Sequence, residues 1–148
     1  MHKVGIKDND LYVIKEIYKP KMTATDILKE IKRTFPDNYN NIVIYADNAR
    51  PEVIEELRRN GISGIRPCTK GAGSVLDGIE WLQDRNIYID SSCTGALNEI
   101  EAYQWKYDKR TGQRIPKPVE INDDAMDSIR YATEPFRGLR KEFRVAVF

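Results

Sequence analysis

The sequence is poor in the side chains that most often carry nucleophilic and metal chemistry. It has one histidine, His2, and two cysteines, Cys68 and Cys93. A single histidine excludes a His-rich zinc site. His2 lies at the N-terminus, where order is commonly lost, so no Ser-His or Cys-His pair is expected of it. Cys68 and Cys93 form neither a CxxC pair nor a disulfide framework, and read as buried or free thiols. Charge of one sign is missing too. Lys and Arg total 24 against 23 Asp and Glu, a net charge of +1. No partner follows from that total, so any basic patch must be local. No apolar run is long enough to span a bilayer, and no signal-peptide core follows Met1. The expected compartment is therefore cytoplasmic, with no membrane partner. Internal repeats and low-complexity linkers are absent as well.

What is present suits a folded domain. The 148 residues are 32% charged and 41% hydrophobic, enough for one compact unit and unlike a disordered chain. "HKVGIKDNDLYVIKEIY" reads as a β-hairpin around Asp8, Asn9 and Asp10. "TATDILKEIKRTF" has Ile27, Leu28, Ile31 and Phe35 at helical spacing, with Thr25 as its expected N-cap. "NIVIYAD" reads as a buried strand ending at Asp47. "RPEVIEELRRNG" is a helix with Pro51 at its start and Gly61 past its end. "ISGIRPC" and "IYID" are short strand candidates. A helix after "KGAGS" is expected to turn Val75, Leu76, Ile79 and Leu82 inward. Another begins near Thr94, with Leu97 and Ile100 on one stripe. Residues 103–118 read as a projecting ribbon, residues 122–132 open the last helix, and "RGLRKEFRVAVF" is a basic tail. Strands alternating with helices predict a single α/β domain over residues 1–148.

Acids hold the chemistry. Asp47 ends a strand just before a helix, where functional groups of open α/β sheets gather. A carboxylate there needs a cation or several hydrogen bonds. Equally, Asp47 or Asn48 can cap the next helix. "NDDAMDSIRYA" repeats the choice. Asn122 or Asp123 is a good N-cap, and Asp124 suits the positive end of the helix dipole. Asp127 lies a turn further in and shares a face with Asp124, while Arg130 is placed to pair with it. Should Asp47, Asp127 and a neighbour converge, their oxygen-only ligation would select Mg²⁺ or Mn²⁺ over zinc.

Two other stretches are open to two readings. "KGAGS" lacks the P-loop spacing, but its amides and Lys70 can meet a phosphate, or form a plain solvated turn. The ribbon interleaves Tyr103, Trp105 and Tyr107 with Lys106, Lys109, Arg110, Arg114 and Lys117. That pattern fits a nucleic-acid backbone, and also a ribbon with rings packed inward and lysines in water.

Taken in order, "LYVIKEIY", "IYADNARPEVIEELRRNGI", "IRPCTKGAGSVLDGIEWLQ", "EIEAYQWKYDKRTGQRIPKPV" and "NDDAMDSIRYA" resemble the C-terminal nuclease domain of the large terminase subunit of tailed phages. The resemblance implies a ribonuclease H-like mixed sheet flanked by helices. It also implies cleavage of double-stranded DNA during genome packaging, with two divalent ions held by acids. By resemblance, Asp47 matches the acid after the family's fourth strand and Asp127 the acid of its last helix. Asp124 stands where many members have histidine; an aspartate there can still bind a hard ion but adds charge. Lys70 and the ribbon's Lys106, Lys109, Arg110 and Arg114 would contact DNA, and terminase or portal components are implied as partners.

The family's first strand, which carries a further metal-binding acid, has no counterpart here. The chain begins at what resembles the second strand, and no ATPase half is present, so it reads as a truncated piece or a prophage remnant. Weak or absent cleavage is expected, with a non-catalytic DNA- or partner-binding module as the alternative function. The missing strand is the family's central one. The gap is expected to close by re-pairing, by homo-oligomerisation or by strand swapping.

Overall fold

A computed structural model of the chain describes residues 1–69 and 71–137. Lys70 and the basic tail after Arg137 lie outside the described residues. The hairpin forms where alternation places it: β1 (His2–Lys7) pairs antiparallel with β2 (Asp10–Glu16). Its turn uses Asp8 and Asn9 at φ 52° and 72°, the left-handed pair that matches the twist of two strands. Leu11 and Val13 are buried, while Ile14 is exposed. His2 is buried in β1 and touches Glu16, so the expectation of a disordered terminal histidine is corrected: strand pairing holds it.

Helix α1 (Ala24–Thr34) is capped by Thr23 instead of the expected Thr25. Thr23 N donates to Asp26 Oδ2 at 3.0 Å and Asp26 N donates back to Thr23 Oγ1 at 3.2 Å. Thr25 has Leu28 at the matching position and cannot form that reciprocal box. Next, β3 (Ile44–Ala46), α2 (Pro51–Arg59) and β4 (Ile65–Pro67) make a unit in which β3 and β4 are parallel. The expectation that β3 is fully buried is not met. Ile44, Tyr45 and Ala46 are half-buried, because β4 covers one edge only.

Helix α3 (Ser74–Gln83) buries Ile79 and Leu82 but leaves Val75 exposed, correcting the inward placement of that residue. β5 (Ile87–Ile89) returns parallel to β2. Helix α4 (Thr94–Ala102) buries Ala96 and Glu99, while Leu97 and Ile100 are half-buried. The ribbon is β6 (Trp105–Tyr107) paired with β7 (Arg114–Pro118), and α5 (Asp124–Arg137) closes the described chain.

The strands form separate pieces: a mixed sheet ordered β1-β2-β5, the parallel pair β3-β4, and the ribbon. The hydrophobic interior is divided in the same way. One cluster joins Leu11, Val13, Leu82, Ala96, Met126 and Ile129. The other joins Ile17, Ile31, Ile54, Leu57, Ile62 and Ile65. Helix α5 packs against both β1 and β3 and so bridges the two halves. Strands β1 and β3 are not paired with each other, so direct re-pairing does not close the gap among the described residues.

Candidate metal centre

The chain leaves β3 at Ala46, and Asp47 starts the turn into α2. Asp47 Oδ1 accepts from Ala49 N at 2.8 Å, an Asx-type turn. The N-cap of α2 is Arg50, which makes no side-chain cap bond, and Pro51 supplies the preset φ instead. Asp47 thus shapes the turn without capping the helix.

Across the cleft, α5 starts with an acidic turn. Asp127 N donates to Asp123 O, which places Asp123 at the N-cap, after Asn122 at φ 50°. Burial pushes the Asp123 carboxyl up, and the nearby charges of Asp127, Asp124 and Glu120 push it further. Like charges this close favour a proton or a cation between them. Asp127 accepts from Arg130 Nη2 at 2.5 Å and from the Tyr131 hydroxyl at 3.3 Å. Arg130 is almost wholly buried; burial alone would lower its pKa, but Asp127 outweighs that and raises it. Burial pushes the Tyr131 hydroxyl up, and the charges of Asp127 and then Asp47 add to the shift. Tyr131 therefore feels both carboxylates.

Asp47, Asp124 and Asp127 line one cavity of about 340 Å³, with Arg50, Ser128 and Tyr131 among its other walls. Carboxylates far apart in sequence are brought to a shared space. Their oxygen donors suit a hard divalent ion. Yet among the described residues no three His, Cys, Asp or Glu side chains converge to hold a metal. Asp47 is also engaged by Ala49 and Asp127 by Arg130. The donors fit a divalent ion in kind, but as a complete metal centre they do not fit.

The basic candidates are spread out. Lys70 lies outside the described residues, although Thr69 N beside it is anchored by Glu134 of α5 at 2.9–3.0 Å. Lys106 pairs with Glu120 at 3.4 Å, and Arg114 stacks over Trp105 at 5.0 Å. Lys109 and Arg110 sit exposed in the ribbon turn, which Asp108 holds by accepting from Arg110 N and Thr111 N. That bonding keeps the Asp108 carboxyl below the usual range.

Sequence reading missed the supporting network. Glu16 accepts from Gly95 N and Ala96 N at the start of α4, and from His2. Glu99 accepts from Ala125 N and Met126 N at the start of α5, and from the Tyr18 hydroxyl. Each acid satisfies N–H groups that a helix start leaves unpaired. By fixing the first turn of α5, Glu99 sets where Asp124 and Asp127 stand.

The chain matches the family described as the terminase RNase H-like domain over residues 1–134. Among solved structures it is similar to the large-terminase nuclease domain of bacteriophage SPP1, solved with bound Mn. Identity is 27% and TM-score 0.81, covering 90% of this chain and 76% of that one. It is also similar to the large terminase of a thermophilic bacteriophage, solved with ATP-gamma-S, at 20% identity and TM-score 0.68. That match covers 90% of this chain and 36% of the other. That likeness shows the fold alone, and the chain spans about a third of the thermophilic phage protein's length. No curated protein sequence matches the chain.

Proposed function

The chain belongs to the terminase RNase H-like domain family, and on that premise we propose that it carries the acidic half of a metal-dependent DNA endonuclease centre. Asp47 and Asp127 are the ion-facing acids, with Asp124 beside them. These oxygen donors would suit a hard ion, Mg²⁺ or Mn²⁺, which when bound would supply water activation and charge stabilisation at a phosphodiester. Double-stranded DNA is the substrate class. Lys109 and Arg110 are its main contacts on the ribbon, with Arg114, Lys106 and Lys70 in support. The setting is genome packaging in the host cytoplasm beside other terminase or portal components.

The observation that carries this reading is the shared cavity of Asp47, Asp124 and Asp127. Because the set is incomplete, Mn²⁺ binding is expected to be weak and cleavage poor. Calorimetric titration with Mn²⁺ should show a specific heat that drops at least about tenfold in affinity in Asp47→Ala and in Asp127→Ala. Robust plasmid nicking that survives Asp47→Ala would show that the acids are misassigned.

The absence of a three-ligand group among the described residues favours a second reading, a DNA-binding module without chemistry. Salt-dependent DNA binding that is unchanged in the Asp47→Ala, Asp127→Ala double variant, with no heat from Mn²⁺, selects it.

A further inference from the structure

Asp127 lines the cavity it shares with Asp47 and Asp124, but a positive charge already reaches it from behind. Arg130 Nη2 donates to Asp127 Oδ1 at 2.5 Å. The Arg130 side chain is 4% exposed, against 34% for Asp127. Among the described residues that line the cavity are Ser128 and Tyr131, but not Arg130. The guanidinium therefore meets the carboxylate from the interior. The Tyr131 hydroxyl, at the cavity wall, donates to the other oxygen, Oδ2, at 3.3 Å.

Helix α3 is shaped to seat this arginine. Gly78 is buried in the middle of α3, where glycine weakens a helix relative to alanine. A Cβ at Gly78 would stand 3.1 Å from Arg130 Cδ, closer than carbon atoms normally pack. Glycine leaves the space that the Arg130 chain crosses. Arg137 lies over the same glycine and donates to the Arg130 carbonyl. Arg130 Nε has no hydrogen-bond partner among the described residues, so Asp127 is the acid that offsets the buried charge. Burial works against that charge, and Asp127 outweighs it. A buried cation stripped of its acid is strongly destabilising, which keeps the two together.

Resting on the reading of Asp47, Asp124 and Asp127 as ion-facing acids, we propose that Arg130 is the resident cation of this site. By neutralising Asp127 from within, it lowers the affinity of the acids for a divalent ion. Hard ions are held largely by the charge of their oxygen ligands, and the number of charged ligands tunes the affinity. Arg130 removes one negative charge from a set that already falls short of three converging ligands among the described residues. Because the guanidinium is buried, salt and water screen its effect less than they would at a surface. The poor fit of these acids as a complete metal centre thus has an electrostatic cause beside the geometric one. Arg130 acts through Asp127 and sets affinity without touching the ion.

Calorimetric titration of the full chain with Mn²⁺ tests the role. Arg130→Met removes the charge and keeps an unbranched chain over Gly78. It is expected to bind Mn²⁺ about tenfold or more tightly than the parent chain. Arg130→Gln should follow it, and decides the matter if Arg130→Met does not fold. Arg130→Lys keeps the charge, so its gain should be at most about threefold. Thermal unfolding is the second measurement. Excess Mn²⁺ should raise the midpoint of Arg130→Met and Arg130→Gln by more than that of the parent chain, whereas a merely structural arginine leaves the ion-induced shifts alike. Heat from Mn²⁺ that appears only in the charge-free variants supports the proposal. Equal or weaker binding in those variants overturns it and leaves the assignment of the acids standing, because Arg130 would then orient Asp127 for the ion. A tenfold gain in Arg130→Lys also overturns it, since charge would not be the cause. No heat in the parent or in any variant overturns both the proposal and the metal reading.

Discussion

Glu99 shows how one carboxylate can organise a site from below. It is 4% exposed and accepts from Ala125 N at 2.7 Å, Met126 N at 3.1 Å and the Tyr18 hydroxyl at 2.7 Å. The Tyr18 hydroxyl is pushed up to about 12, first by that hydrogen bond, then by burial and by the charge of Glu99. Glu99→Ala leaves buried N–H groups without an acceptor and should cost about 2–4 kcal/mol in urea unfolding. Glu99→Gln, which keeps one acceptor oxygen, should cost less, and ultraviolet titration should then show Tyr18 ionising closer to the ordinary tyrosine value. His2 and Glu16 give a pH dependence. Burial lowers the His2 pKa, the neighbouring N-terminal ammonium lowers it further, and Glu16 offsets this only in part. Burial would raise Glu16, but the N–H bonds from Gly95 and Ala96 and the His2 contact outweigh it, leaving its pKa lowered. Both groups bind protons less readily folded than unfolded. Their stabilisation is therefore full above the unfolded values, about 6.5 and 4.3, and is lost as pH falls through the folded ones. Denaturant midpoints should decline below about pH 6.5, and His2→Gln should remove the upper part of that decline while leaving the carboxylate part. None of this was legible beforehand. In "ALNEIEA" a buried Glu99 and an exposed Glu101 look alike, because the difference lies in which helix start each meets.

Elements were more legible than contacts. The hairpin could be read from alternation and its turn, and the α2 boundaries from Pro51 and Gly61, since those signals are local. The α1 cap was misplaced because the reciprocal bond between Thr23 and Asp26 involves a pair, not a single good residue. The position of β3 was readable, but it spans only Ile44–Ala46 and stops one residue short of Asp47, and its burial was not readable, because burial depends on whether a neighbour lies beside it. The ribbon also makes a prediction at this scale. Its strands are tied by backbone pairing and its turn by Asp108, so Lys109 and Arg110 can be removed without loosening either. Lys109→Ala with Arg110→Ala should reduce the salt slope of double-stranded DNA binding by about two and leave the unfolding midpoint unchanged. An unchanged slope in fluorescence anisotropy titrations would show that DNA does not run along the ribbon turn.

Across the whole molecule, the divided interior governs stability. The meeting of Asp47 and Asp127 at one cavity could be anticipated only from the ordered likeness to a known family, because no local spacing links residues so far apart. Among the described residues β1 and β3 are not paired with each other, and the hydrophobic interior is divided into two clusters. Helix α5 packs against β1 and β3, and Met1 and Ile17 at the open end of the β1-β2 hairpin reach into the second cluster. Two clusters divided in this way should open separately more readily than a single continuous core does. Ile65 is 2% exposed in the β3-β4 half, and Ile65→Ala should cost about 2–5 kcal/mol. Native-state hydrogen exchange should then quicken in α1, α2, β3 and β4 while β2 and β5 keep their protection. Leu11→Ala, in the other half, should show the converse. If either variant quickens both halves alike, the clusters form one cooperative unit, and the coupling through α5 is stronger than the parted interior suggests.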